Sequence, residues 1–144
     1  MINVERSIVI HRPVEAVFNY VSNLAHSAEW QSGLAEVRQV TSSPLGVGTQ
    51  FAFVRTFLGL KVEARNEITE FTPHSKVAFK IISGPMSGEA SYFFEPAGKD
   101  MKLTSTIAMQ PGFASLAEPL ISASLQRDME ANFIVLKNML ESQA

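Results

Sequence analysis

Leu60-Lys61-Val62-Glu63-Ala64-Arg65-Asn66-Glu67-Ile68-Thr69-Glu70-Phe71 is the stretch on which the fold turns. Lys61, Glu63, Arg65, Glu67 and Thr69 share one parity, and Val62, Ala64, Asn66 and Ile68 share the other. A period of two marks a strand with one wet face and one covered face. Gly59 precedes it and Thr72-Pro73-His74-Ser75 follows it, and both are turn chemistry. Short connections of this kind join antiparallel neighbours.

The pattern repeats outward. Val77, Phe79 and Ile81 alternate with Lys80 over 76–82, and Leu103, Ser105, Ile107 and Met109 alternate with Lys102, Thr104 and Thr106 over 102–109. Ser43-Pro44-Leu45-Gly46, Ser83-Gly84-Pro85 and Pro96-Ala97-Gly98-Lys99-Asp100 supply further turns, so strands are also expected over 35–41, 50–57 and 89–95. At the start of the chain Ile2, Val4, Ile8 and Ile10 form one parity broken by Arg6, which predicts another strand. Pro13 then sets up a short helix whose apolar face is Val14, Val17, Phe18 and Val21. Asn23 breaks it, and a second helical turn is expected to end near Trp30 and Gly33.

The last third is helical again. Leu125, Met129, Leu136 and Leu140 fall in a narrow arc at 100° per residue, with Asn132, Phe133 and Met139 beside them. Leu116 and Leu120 land on the far side of that wheel. Pro119 lies between the two frames, which predicts a bend there. A sheet covered on one face needs a cover, and this helix is the only piece large enough. The expected architecture is α+β: a seven-stranded curved antiparallel sheet wrapped around a long C-terminal helix, with two short helices between strands one and two.

Composition narrows the function. The chain has 144 residues, a single domain by length, with 12 Lys+Arg against 14 Asp+Glu and no cysteine. Disulfides, thiolate metal sites and a cysteine nucleophile are excluded. The near-balanced charge offers no electrostatic footprint for nucleic acid. No signal peptide is legible, and no apolar run approaches the ~18–20 residues needed to span a bilayer. A cytoplasmic protein without stable membrane insertion is the expectation, and the sequence leaves open a homodimer through an edge strand.

The opening Glu5-Arg6-Ser7-Ile8-Val9-Ile10-His11-Arg12-Pro13-Val14-Glu15-Ala16-Val17-Phe18-Asn19-Tyr20-Val21 resembles the start of the START-like superfamily. This is the SRPBCC group of polyketide cyclase/dehydrase and lipid-transport-like proteins. The likeness continues through Trp30-Gln31-Ser32-Gly33, Gly46-Val47-Gly48-Thr49, Ile68-Thr69-Glu70-Phe71-Thr72-Pro73, Tyr92-Phe93-Phe94-Glu95-Pro96 and Leu136-Lys137-Asn138-Met139-Leu140-Glu141, and covers nearly the whole chain. The resemblance implies a helix-grip fold over residues 1–144, with an interior cavity between sheet and C-terminal helix for an apolar small molecule. It implies no particular reaction, because the superfamily holds carriers, cyclases, hydratases, oxygenase domains and co-chaperones.

The residues add detail to that cavity. Arg6, Arg55, Asn66 and Ser105 each interrupt an otherwise apolar row, as groups that hold water or orient a ligand would, and as residues near strand ends also would. Trp30, Phe53, Phe79, Tyr92, Ile121, Leu125 and Met129 are the expected apolar wall, with Arg55 and Asn66 completing the candidate ligand-binding set. Arg55, beside Phe51, Phe53 and Phe57, would clamp a ligand carboxylate or polarise a carbonyl, or else pair with Glu63 on the adjoining strand. Asp128, with Arg127 beside it, is a cavity-edge acid or a solvated helix flank. His11, His26 and His74 stand alone in apparent turns, so no metal site is expected. No cofactor and no catalytic set can be assembled, and Gly46-Val47-Gly48 precedes a strand, not the helix a phosphate would need. Three functions follow: binding or transport of a small hydrophobic molecule such as a lipid, quinone or polyketide; a polyketide cyclase or dehydratase using the same cavity; or a co-chaperone or toxin-type protein interaction.

Overall fold

A computed structural model of the chain describes residues 2–57, 59–84, 86–111 and 118–143. Its strands are β1 (Ile2–Ile10), β2 (Leu34–Gln39), β3 (Gln50–Phe57), β4 (Leu60–Thr72), β5 (Lys76–Ser83), β6 (Met86–Ala97) and β7 (Asp100–Pro111). They form one sheet in the order β1-β7-β6-β5-β4-β3-β2, and every pairing is antiparallel. The β6–β7 hairpin outruns the stretch in which side chains alternate, because backbone pairing persists to Ala97↔Asp100. The turn between them is the two-residue Gly98-Lys99, and Gly98 supplies the positive φ of 66° that such turns demand. Register shifts interrupt β4–β5 pairing at Arg65/Asn66 and at Ile68/Glu70. Irregularities of this kind bend a strand and raise its twist, which curls the 13-residue β4 and the sheet with it.

Between β1 and β2 run the helix α1 (Val14–Val21) and a 3₁₀ helix (Leu24–Glu29), matching the expected pair. Pro13 caps α1 from outside, and its carbonyl accepts from the Ala16 and Val17 amides at 3.1 and 3.3 Å. The Asn23 side chain accepts from the Ala25 amide at 3.2 Å and opens the 3₁₀ turn. Val14, Val17, Phe18 and Val21 are buried as the spacing predicts. Phe18 meets Phe71 and Phe94 edge-on, at 5.5 and 5.0 Å between ring centres.

The C-terminal helix α2 (Glu118–Ser142) runs alongside β1. Arg6 Nε donates to Glu130 at 2.8 Å and Arg6 Nη2 to Gln126 at 2.6 Å. Farther along, Lys137 Nζ reaches the Val9 carbonyl at 2.7 Å, and Glu141 accepts from the His11 amide at 2.9 Å. The polar interruption at Arg6 is thereby explained: it ties helix to strand. Met129, Phe133, Leu136 and Leu140 are buried, whereas Ile121 and Leu125 are only half-buried. Leu120 is 76% exposed, off the packed face as its position on the wheel requires. Pro119 sits in the first described turn of α2; the far arm of the expected bend, with Leu116, lies outside the described residues. No helix among the described residues is long and apolar enough to cross a membrane.

Burial along the inner face of the sheet is graded. Phe51, Ile68, Val77, Phe94, Met101 and Leu103 are sealed at one end. On the same parity at the other end, Val62, Ala64, Phe79, Ile81, Ala90, Ile107 and Met109 are only half-buried. Apolar rows thus continue past the point where anything described covers them. The hole lies there.

Candidate ligand-binding cavity

The uncovered end of the inner face encloses an open cavity of about 160 Å³. Its walls come from β3 to β7, and Phe53, Phe79, Ile81, Tyr92, Ile107 and Met109 make them apolar. Phe53, Phe79 and Tyr92 form a row of rings, with centres 6.3 and 5.9 Å apart. Gly88 faces the cavity from β6. A Cβ there would lie 2.6 Å from the Ala108 carbonyl oxygen, so only glycine permits the close approach of β6 to β7. Glu89 and Ala108 also border the cavity, although their parity belongs to the outer face. A sealed dry void of this size would cost about 4 kcal/mol at about 24 cal/mol per Å³. The opening and the polar groups instead admit water or a guest.

Among the described residues, Gln31 is the one lining residue outside the strands. The loop that carries it is held down by α2: Asn132 Oδ1 accepts from the Ser32 amide at 3.1 Å, and Phe133 stacks on Trp30 at 6.1 Å. Trp30 in turn lies 6.3 Å from Tyr92, and Gln31 Nε2 donates to the Tyr92 hydroxyl at 3.3 Å. The Trp30-Gln31-Ser32 wedge thus links α2 to the cavity wall.

The residues picked from the sequence divide accordingly. Phe53, Arg55, Asn66, Phe79 and Tyr92 all line the cavity. Trp30 and Met129 are buried in the adjoining core, while Ile121 and Leu125 pack against that core from its edge. No α2 residue lines the cavity, which differs from the expectation that helix and sheet share it. The helix makes its close backbone contacts with β1, and its buried side chains join the core at the sealed end. Arg127 and Asp128 are exposed. Glu89, Gly88 and Gln31 were not singled out from the sequence; the one available signal was a glycine on the inner parity of β6.

Arg55 does not pair with Glu63. Glu63 stands opposite Val54 on the outer parity and binds Arg38 at 3.0 Å, while Arg55 stands opposite Val62 on the inner parity. Arg55 stays open to solvent at the mouth of the cavity, yet enough protein surrounds it that burial lowers its pKa, with neighbouring Tyr92 opposing. The guanidinium remains charged at any ordinary pH. Burial also pushes the Tyr92 phenol up to about 12, against the hydrogen bond from Gln31 and the charge of Arg55. Tyr92 is therefore a neutral donor at physiological pH.

This shift makes a prediction at alkaline pH. The unfolded phenol ionises near 10.0 and the folded one near 12, so the folded state keeps its proton longer. The stabilisation is complete below pH 10 and lost as pH rises toward 12, about 3 kcal/mol in all at ~1.4 kcal/mol per pH unit. Urea unfolding at pH 9 and pH 11 should show a smaller loss in Tyr92→Phe than in the parent. Equal losses would contradict the assignment.

Comparison with known proteins follows the same outline. The family model described as polyketide cyclase / dehydrase and lipid transport matches residues 1–141. No curated protein sequence matches. Among solved structures, TTHA0849 from Thermus thermophilus is similar at 20% identity and TM-score 0.82, covering 99% of each chain. A START superfamily protein from Mycobacterium smegmatis is similar at 11% identity and TM-score 0.85 over 100% of each. The di-domain ARO/CYC StfQ of the steffimycin biosynthetic pathway is similar at 15% identity and TM-score 0.79, over 99% of this chain and 51% of that one. At these identities the structural likeness speaks to fold.

Proposed function

The chain belongs to the polyketide cyclase/dehydrase and lipid transport family, and from that premise we propose that it binds a small hydrophobic molecule in the cavity on the inner face of its sheet. The observation that carries this reading is the burial gradient: apolar side chains continue along β4 to β7 where nothing described packs on them. Soluble proteins rarely leave such surface idle. The volume of about 160 Å³ sets the scale of the guest. It matches a known engineered cavity of about 150 Å³ that admits benzene. One ring or a short chain fits between the described walls, and a longer lipid, quinone or polyketide would have to extend through the mouth.

Ethylbenzene is a direct probe. At a hundredfold excess over its dissociation constant it should stabilise the protein by about 2.7 kcal/mol. That corresponds to a rise in Tm of roughly 5–10 °C for a chain of this length. No rise at saturating ethylbenzene would contradict the reading.

A second reading, a cyclase-type reaction in the same cavity, is favoured by one observation. Neutral Tyr92 and cationic Arg55 both face the cavity, and such donors stabilise enolate charge developing on a carbonyl chain. Two fold neighbours are ARO/CYC proteins by name. Turnover of a poly-β-carbonyl thioester that is lost in Tyr92→Phe would favour it over simple binding.

A further inference from the structure

We infer that the guest carries a carboxylate, gripped at the cavity mouth by Arg55 and Tyr92 with Asn66 and Ser105 as the polar floor. This deepens the binding reading above and rests on it. The other arginines near the core are spent: Arg6 on Glu130 and Gln126, Arg12 on the Leu140 carbonyl at 2.6 Å, Arg38 on Glu36 and Glu63. The Arg55 side chain has no hydrogen bond or ion pair among the described residues, although it stands beside the Phe53 ring row. The Tyr92 hydroxyl accepts from Gln31, and its own proton finds no acceptor among the described residues.

Asn66 and Ser105 give the independent observation. They are 7% and 5% exposed, and neither side chain has a hydrogen-bond partner among the described residues. Yet no buried side-chain polar atom among those residues is both sealed and unsatisfied. Their polar atoms must therefore open onto the cavity that both residues line. Native interiors seldom leave such groups idle without water or a ligand to meet them.

The inventory of these groups defines the partner. Arg55 offers five N–H donors and no acceptor, and Tyr92 offers an O–H. Asn66 and Ser105 add donors alongside their acceptor oxygens. The other charged residue bordering the cavity, Glu89, has the parity of the outer face, so on the inner face the excess is of donors around an unpartnered cation, and the guest must supply acceptors and a negative charge. A carboxylate has two oxygens at the spacing of a guanidinium fork, and charge-assisted bonds are roughly twice as strong as neutral ones. A phosphate ester would call for more than the single cation among the described residues of this wall. The apolar remainder of the guest faces the row of Phe53 and Phe79.

Three probes of similar shape separate the possibilities: phenylacetate, neutral phenylacetamide and ethylbenzene, titrated calorimetrically and in competition with one another. Phenylacetate should bind at least tenfold tighter than phenylacetamide and should displace ethylbenzene. Arg55→Gln should erase that preference, with its far-UV circular dichroism and cooperative thermal unfolding showing that the variant is folded. Tyr92→Phe should shrink the preference several-fold. Equal affinity of the two oxygenated probes, an unchanged preference in Arg55→Gln, or phenylacetate binding without displacing ethylbenzene would overturn the carboxylate while leaving an apolar site intact. Failure of all three probes to bind would overturn the site itself, and the carboxylate with it.

Discussion

Replacing Phe133 with alanine lowers the stability of the fold by about 3–5 kcal/mol, the range for deleting a buried ring. Phe133 is 2% exposed and lies nearly parallel to Trp30, with 27° between the ring planes. Its loss removes the packed surface by which α2 holds the Trp30-Gln31-Ser32 wedge. At about 2–4 °C per kcal/mol for a domain approaching 150 residues, Tm should fall by roughly 6–20 °C. Leu120→Ala is the control. That side chain is as apolar but exposed, and its truncation should cost under about 0.5 kcal/mol. A loss below about 1 kcal/mol for Phe133→Ala would mean that the stack contributes little and that α2 is held by its polar ties to β1.

Filling the cavity should abolish binding while sparing the fold. Ala90 lines the cavity and is flanked by Phe79 on β5 and Ile107 on β7. Ala90→Phe puts a ring into the space the guest would take. Ethylbenzene affinity should fall at least a hundredfold, and Tm without ligand should hold or rise as apolar surface is covered. Ala90→Leu, a smaller intrusion, guards against overpacking and should show a partial loss. Undiminished affinity in the folded Ala90→Phe protein would move the binding site elsewhere.

Sequence pattern and structure agree where backbone chemistry decides the outcome. The alternation of Lys61, Glu63, Arg65 and Glu67 against Val62, Ala64, Asn66 and Ile68 gave the faces of β4, and the turns at Gly59 and Pro73 gave its antiparallel company. The helix wheel likewise separated Leu136 and Leu140, which are buried, from Leu120, which is not. What periodicity could not tell was which part of an inward row is covered. Leu103 and Ile107 have the same parity on β7, yet one is sealed and the other borders the cavity. That difference belongs to the elements packed over the row, α1 with Phe18 against Phe71 and Phe94 among them, whose placement no single-residue pattern encodes. The two roles weighed for Arg55 were separable only once its register was known. Its place opposite Val62, and that of Glu63 opposite Val54, put the two charges on different faces. Gln31 reached the cavity through a loop whose position depends on Asn132 and Phe133, a hundred residues away.

The most direct test is to find the guest. With ethylbenzene bound, nuclear Overhauser contacts should connect its protons to the methyl groups of Ile81, Ile107 and Met109, all of which line the cavity. Leu103 and Leu136, sealed at the other end, should show none. Contacts confined to surface methyls such as Leu120 or Ile134, with the cavity methyls silent, would contradict the account.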